Sequence, residues 1–272
     1  MSIDFAFLDS GTGGIPYMQY LKSHFPDYNC VYLADSKNFP YGEKSPSDVI
    51  SCATNAAKLI VNTWNPKALI IACNTISVIA LDNIRKALPN TPIVGTVPAI
   101  KLAASLTQKK VIGLLATNAA VNNPYVKELA RKFAEDCEVV YRGDPELISF
   151  IEHKSFTATK QERLEAVKPA VKFMKDKGCD AIILGCTHFL NLADEFAEVA
   201  GPTIKIVDSR EGVVKQAIKV QATQIEENKK SDSSKNVLDK SLFVTGFTSS
   251  DDEKEYGLLC KNLNIPWGGL IK

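Results

Sequence analysis

The sequence predicts an α/β protein of two pseudo-symmetric parallel-sheet domains, with the active site in the cleft between them. Three observations carry this. First, the apolar run Ala68-Leu-Ile-Ile-Ala-Cys73 and the later run Ala181-Ile-Ile-Leu-Gly-Cys186 share one plan, each ending on a cysteine sixth from its leading alanine. Their β-branched, non-alternating character is that of buried parallel strands. Second, strand-like and helix-like segments alternate along the chain, the order of a parallel sheet with right-handed crossovers. Third, the features recur: a strand ending in a small hydroxyl residue, then helices, then a cysteine strand. Ligands of open α/β sheets bind at the carboxyl ends of strands, so each cysteine stands where a site is expected.

Composition narrows the function classes. With 272 residues, 45% hydrophobic and 23% charged, the chain has the make-up of a soluble globular protein. A net charge of +1 and the lack of a basic run give no electrostatic case for nucleic acid or a membrane surface. The apolar runs are too short to span a bilayer. The first residues lack a positively charged region and read as a first strand rather than a signal peptide. Seven cysteines with no CxxC pair, and only three histidines, argue against a structural zinc site or a disulfide framework. They fit reduced thiols in a cytoplasmic enzyme, most of them small core residues.

Element by element, 5–8 is a first strand that runs into Asp9-Ser10-Gly11-Thr12-Gly13-Gly14 and a helix over 15–24. A second strand covers 30–34, a helix 46–63, the first cysteine strand 69–72, a helix 76–88 and a strand 92–96. Val97-Pro98-Ala99 reads as a junction. The second cycle has strands at 111–115 and 138–141, helices at 124–133, 147–152 and 159–177, the cysteine strand, a helix at 191–199 and a strand at 203–207. Gly178 is the expected stop of the long helix. A helix to about 225, a polar surface loop over 226–234, a strand at 242–245 and a helix at 250–263 complete the chain. The expected domains are 1–97 plus 209–272, and 98–208.

The paired cysteines are the strongest chemical feature. A lone cysteine is usually a buried core thiol. These two end their strands, precede polar residues and open equivalent units. A thiol at a helix N-terminus gains thiolate character, and a desolvated thiolate is an effective base. Two such groups on either side of a small ligand could take a proton from one face and deliver one to the other. The glycine loop after Asp9 resembles a phosphate cradle, but the dinucleotide fingerprint is one residue short and Asp35 is its only candidate acid. The other reading is a tight turn that presents Asp9 and Ser10. Tyr41, Gly42, Asn74 and Thr75 offer backbone N–H groups and small side chains suited to a carboxylate, although alone they read as turn and cap residues. Thr117 and Thr187 read the same way. His188, two residues from Cys186, suits a proton relay or a thiolate partner. Glu152, by itself, reads as a surface charge.

In DSGTGG (9–14), PYGEK (40–44), ACNT (72–75), LGCTH (184–188) and VDS (207–209), the chain resembles the bacterial glutamate racemases of the aspartate/glutamate racemase family. The match runs in order to about residue 215. The resemblance implies an isomerase without cofactor or metal that makes D-glutamate for peptidoglycan. It makes Cys73 and Cys186 the acid/base thiols, with Asp9 and His188 as polar neighbours and Glu152 as a third. It makes Ser10, Tyr41, Gly42, Asn74, Thr75, Thr117 and Thr187 residues that hold glutamate, together with Asp9 and His188. L- and D-glutamate are the partners, and a homodimer is left open. The chain departs from the family's usual pattern at Ile76, Phe189, Leu190, Arg210 and after Thr117, none of which is a catalytic group. The rival readings are an aspartate or other amino-acid racemase of the same superfamily, and an α/β binding protein without catalysis.

Overall fold

A computed structural model describes residues 3–227, 239–247, 249 and 251–271. The chain divides into two compact units, Met1–Thr96 with Arg210–Lys272, and Val97–Ser209. The first unit begins with β1 (Phe5–Asp9), α1 (Ile15–His24), β2 (Cys30–Ala34), α2 (Pro46–Trp64), β3 (Ala68–Ile71), α3 (Asn74–Ile79), α4 (Leu81–Ala87) and β4 (Ile93–Gly95). The second holds α5 (Ile100–Leu106), β5 (Val111–Ala116), α6 (Asn118–Asn122), α7 (Pro124–Phe133), β6 (Glu138–Gly143), α8 (Pro145–His153), α9 (Lys160–Asp176), β7 (Ala181–Leu184), α10 (Ala193–Ala200) and β8 (Lys205–Val207). The chain then adds α11 (Arg210–Glu227), β9 (Ser241–Val244), α12 (Asp252–Leu263) and β10 (Trp267–Leu270) to the first unit.

The first sheet has the order β10-β9-β2-β1-β3-β4 and the second β6-β5-β7-β8, with every pairing parallel. The strands β2-β1-β3-β4 of the first sheet therefore repeat the whole topology of the second, and β9 and β10 extend it. The repetition extends to register. Leu8 stands beside Ile71 in one unit and Leu115 beside Leu184 in the other. One residue further on, the Ala72 amide donates to the Leu8 carbonyl (2.8 Å) and the Gly185 amide to the Leu115 carbonyl (2.7 Å). Each cysteine thus leaves its sheet at the same step.

The sequence explains why these elements form. β1, β2, β3, β7 and β9 are buried at every position, as apolar runs covered on both faces must be. α2 opens on Ser45, whose hydroxyl accepts from the Asp48 amide (3.2 Å), followed by Pro46 at the first helical position. α9 opens on a capping box in which Thr159 and Glu162 satisfy each other's amides. It stops before Gly178, whose φ of +80° is left-handed and suits glycine.

Several expected elements change. The single helix over 76–88 is two helices hinged at Ala80, after the β-branched run Thr75, Ile76, Val78 and Ile79 that propagates a helix poorly. The helix expected at 191–199 begins at Ala193, and a 3₁₀ segment, Thr187–Leu192, precedes it. The Asn191 side-chain amide donates to the His188 carbonyl (3.2 Å), which an α-helix would use for its own ladder. Further elements add to those expected: α5 follows the junction at 97–99, the short α6 follows Thr117, and β10 hides behind two glycines. A Cβ at Gly268 would lie 2.5 Å from the Phe243 ring, so this strand needs the glycine that disguises it. The final helix begins at Asp252, and residue 250 is outside the described residues. Of the expected loop over 226–234, positions from 228 onward also lie outside them.

Candidate active site

In the first unit the carboxyl ends of β1, β2 and β3 lie side by side. Asp9, Asp35 and Cys73 end or follow these strands, exposed by 0%, 2% and 4% respectively. The Asp9 carboxylate accepts from the Ser10 amide (2.6 Å), which turns Ser10 onto the glycine loop. The Tyr32 phenol, inside β2, donates to the Gly11 carbonyl and accepts from the Gly14 amide, both at 2.9 Å. Gly14 must be glycine here, because a Cβ would lie 2.6 Å from the Ala72 carbonyl. The loop is therefore a tight turn stapled against the residue before Cys73.

Cys73 is the extended residue before α3 and packs in one apolar cluster with Tyr41. Tyr41 and Gly42 lie in a 3₁₀ turn, Tyr41–Glu43, and the Tyr41 phenol donates to Asp35. Burial, reinforced by the adjacent Asp35 carboxylate, raises the Tyr41 pKa, so the phenol keeps its proton. Asn74 and Thr75 open α3 and are buried. The Asn74 Oδ1 atom is buried with no hydrogen-bond partner. A buried amide oxygen in that state favours a ligand N–H.

The second unit gathers Cys186, Thr187, His188 and Glu152. Cys186 leaves β7 in an extended conformation close to that of Cys73. Gly185 lets it do so, since a Cβ there would meet Leu114 at 2.6 Å. The His188 ring lies between two partners, with Nδ1 3.6 Å from the Cys186 Sγ and Nε2 2.9 Å from the Glu152 Oε2. Burial alone would discharge this ring. The hydrogen bonds and charges of Cys186 and Glu152 outweigh burial and raise the His188 pKa well above its usual value. An imidazolium with both N–H groups engaged is the consistent state, and it sets a proton donor against the sulfur. Glu152 is thus not the surface charge its sequence suggests: it is 8% exposed, on the face of α8 that packs on the 187–192 segment. Thr117 caps α6 by accepting from the Ala120 amide (3.1 Å), at the position in its unit that Ser10 holds in the first.

Two contributors went unseen in the sequence. Tyr32 was read as one more apolar strand residue, and the visible sign was a hydroxyl inside a buried run. Asp35 enters the sequence reading only as the candidate acid of a dinucleotide fingerprint, although it follows β2 as Asp9 ends β1.

The Asp/Glu/Hydantoin racemase family model matches residues 18–217. A glutamate racemase of Treponema pallidum is 33% identical over 267 residues, covering 98% of this chain and 96% of that protein. Among solved structures, Escherichia coli glutamate racemase, in complex with L-glutamate and the activator UDP-MurNAc-ala, superposes with a TM-score of 0.84 at 26% identity. That superposition covers 98% of this chain and 97% of the other. Francisella tularensis glutamate racemase, in complex with D-glutamate, gives a TM-score of 0.74 at 26% identity, covering 99% and 96%. The chain belongs to the Asp/Glu/Hydantoin racemase family.

Proposed function

We propose that this chain is a glutamate racemase that works without a cofactor, interconverting L- and D-glutamate and supplying D-glutamate for peptidoglycan. The near-full-length relationship to glutamate racemases supports the substrate. The observation that carries the chemistry is the equivalence of the two cysteines, each released from its sheet at the same register step beside buried polar groups.

In this reading one sulfur, as thiolate, takes the α-proton: the Cα–H bond breaks and an S–H bond forms. The other thiol gives its proton to the opposite face, and Cα is inverted. The enantiomer bound decides which sulfur begins. The α-proton is a weak acid, so the site must stabilise the developing charge. A fixed donor aimed at such charge contributes about 3 kcal/mol, and exclusion of water strengthens it. Ser10, Asn74, Thr75, Tyr41 and Gly42 on one unit, with Thr117 and Thr187 on the other, hold the glutamate. Asp9 on the first unit and the His188–Glu152 pair on the second orient the thiols. The partners are L- and D-glutamate, and the protein acts in the cytoplasm. Among the described residues no helix is long and apolar enough to cross a membrane.

The test follows L-glutamate in D₂O by proton NMR and polarimetry, with no cofactor added. Loss of the Cα proton together with falling rotation is expected. Exchange of aspartate but not glutamate would move the substrate within the family. No exchange of either by folded, reduced protein would end the racemase reading.

A further inference from the structure

Asp35 joins three parts of the first unit. Its carboxylate accepts from the Tyr41 phenol, from the Asn38 side-chain amide through both oxygens (3.1 and 3.0 Å), and from the Thr245 hydroxyl (2.6 Å). Thr245 directly follows β9, more than two hundred residues away in sequence. Its oxygen also accepts from the Lys37 amide (3.3 Å), while the Ser36 hydroxyl donates to the Gly246 carbonyl (2.7 Å). Gly246 lies so close to Lys37 that a Cβ would meet the Lys37 Cβ at 2.9 Å. The connection from β2 to Tyr41 is therefore fastened along its length to residues 245–246. Its regular structure is one single-turn 3₁₀ segment, Ser36–Asn38, and a second turn, Tyr41–Glu43, follows it.

We infer that Thr245 and Asp35 are positioning residues for the Tyr41–Gly42 segment, so that the carboxyl-terminal part of the chain sets the affinity for glutamate. This rests on the reading that Tyr41 and Gly42 hold the substrate. The phenol oxygen is committed to Asp35, so the placement of Tyr41 is coupled to that of Asp35. Thr245, just past β9, brings a hydroxyl from that part of the chain to the carboxylate. Removing its hydroxyl deprives Asp35 of a charge-assisted donor and Lys37 of its amide acceptor, while burying no new group.

The test compares Thr245→Val, Thr245→Ser and Asp35→Asn with the full-length wild type. Steady-state racemisation, thermal unfolding and amide hydrogen exchange over residues 36–44 are measured on the same samples. Thr245→Val should raise KM for glutamate by about threefold to tenfold, less than the full worth of a hydrogen bond to a charged group because the hydroxyl acts on Tyr41 only through Asp35. It should leave kcat within about twofold and accelerate exchange over 36–44. Thr245→Ser should restore both, and Asp35→Asn should exceed Thr245→Val. In a Tyr41→Phe background, which cuts the link to Asp35, Thr245→Val should raise KM by less than it does alone. Unchanged exchange over 36–44 in Thr245→Val overturns the inference whatever the activity. So does a kcat loss matched by a lower Tm that serine does not rescue, which marks a stability role only. If the wild type does not racemise glutamate while exchange accelerates as expected, the functional reading fails and the positioning role stands.

Discussion

His188 Nε2 lies 2.9 Å from Glu152 Oε2, with both side chains almost wholly buried and the other ring nitrogen turned to the sulfur of Cys186. A buried ion pair is costly unless its remaining hydrogen bonds are satisfied. Here the second N–H of the imidazolium meets the Cys186 sulfur, so both ring nitrogens are engaged. In the proposed mechanism Glu152 acts through His188, and His188 through Cys186.

Glu152→Gln should therefore lower the His188 pKa, because the carboxylate that favours the imidazolium becomes neutral. An NMR titration of the ring measures this directly. Racemisation should fall by about tenfold, less than the hundredfold or more of a direct acid–base group because Glu152 reaches the sulfur only through His188. An unmoved titration would remove Glu152 from the site.

The same pair makes stability depend on pH. The folded His188 pKa is raised, so its contribution is complete below the unfolded value of about 6.5 and is lost as pH rises through the folded value. In that window the native state binds the extra proton, and unfolding free energy should fall by up to about 1.4 kcal/mol per pH unit. Urea titrations at several pH values should show this slope in the wild type and lose it in His188→Asn.

Cys73→Ser and Cys186→Ser should each lower racemisation by at least about a hundredfold in both directions, since a serine hydroxyl is far too weak an acid to replace a thiol in proton transfer. Glutamate binding, followed by thermal shift, should survive in both. If either variant kept most of its rate, the two-base scheme would be wrong.

Gly14→Ala should destabilise the first unit by about 1–3 kcal/mol, the usual cost of forcing an atom into packed surroundings. The new Cβ would meet the Ala72 carbonyl at 2.6 Å, the Ala72 Cβ at 2.7 Å and the Tyr32 hydroxyl at 2.9 Å. Activity should fall with it, because Ala72 carries Cys73. A variant as stable and active as the wild type would mean that the loop is not held where Tyr32 staples it.

Much of this protein was legible before any coordinates. The two cysteine strands, the alternation of strands and helices and the repeat of features are one-dimensional patterns, because a strand buried on both faces must be apolar throughout. β2 and α7 fall where the apolar pattern and the proline at the helix start place them. The motifs likewise point to Cys73, Cys186 and His188. The 3₁₀ segment after Cys186 was not legible, because a single side chain, Asn191, takes the carbonyl that would have continued a helix. β10 was not legible because its glycines answer to Phe243, a residue of another strand.

The sequence by itself determined the fold class, the internal repeat and the two thiols, since each depends on residue type and local order. Tertiary structure alone decided that Glu152 is buried against His188, that Tyr32 holds the glycine loop and that Asp35 ties Tyr41 to Thr245. These depend on which distant backbone stands opposite a polar group. A carboxylate is a surface charge or a buried partner according to whether another segment brings it a hydrogen-bond donor and takes its water away.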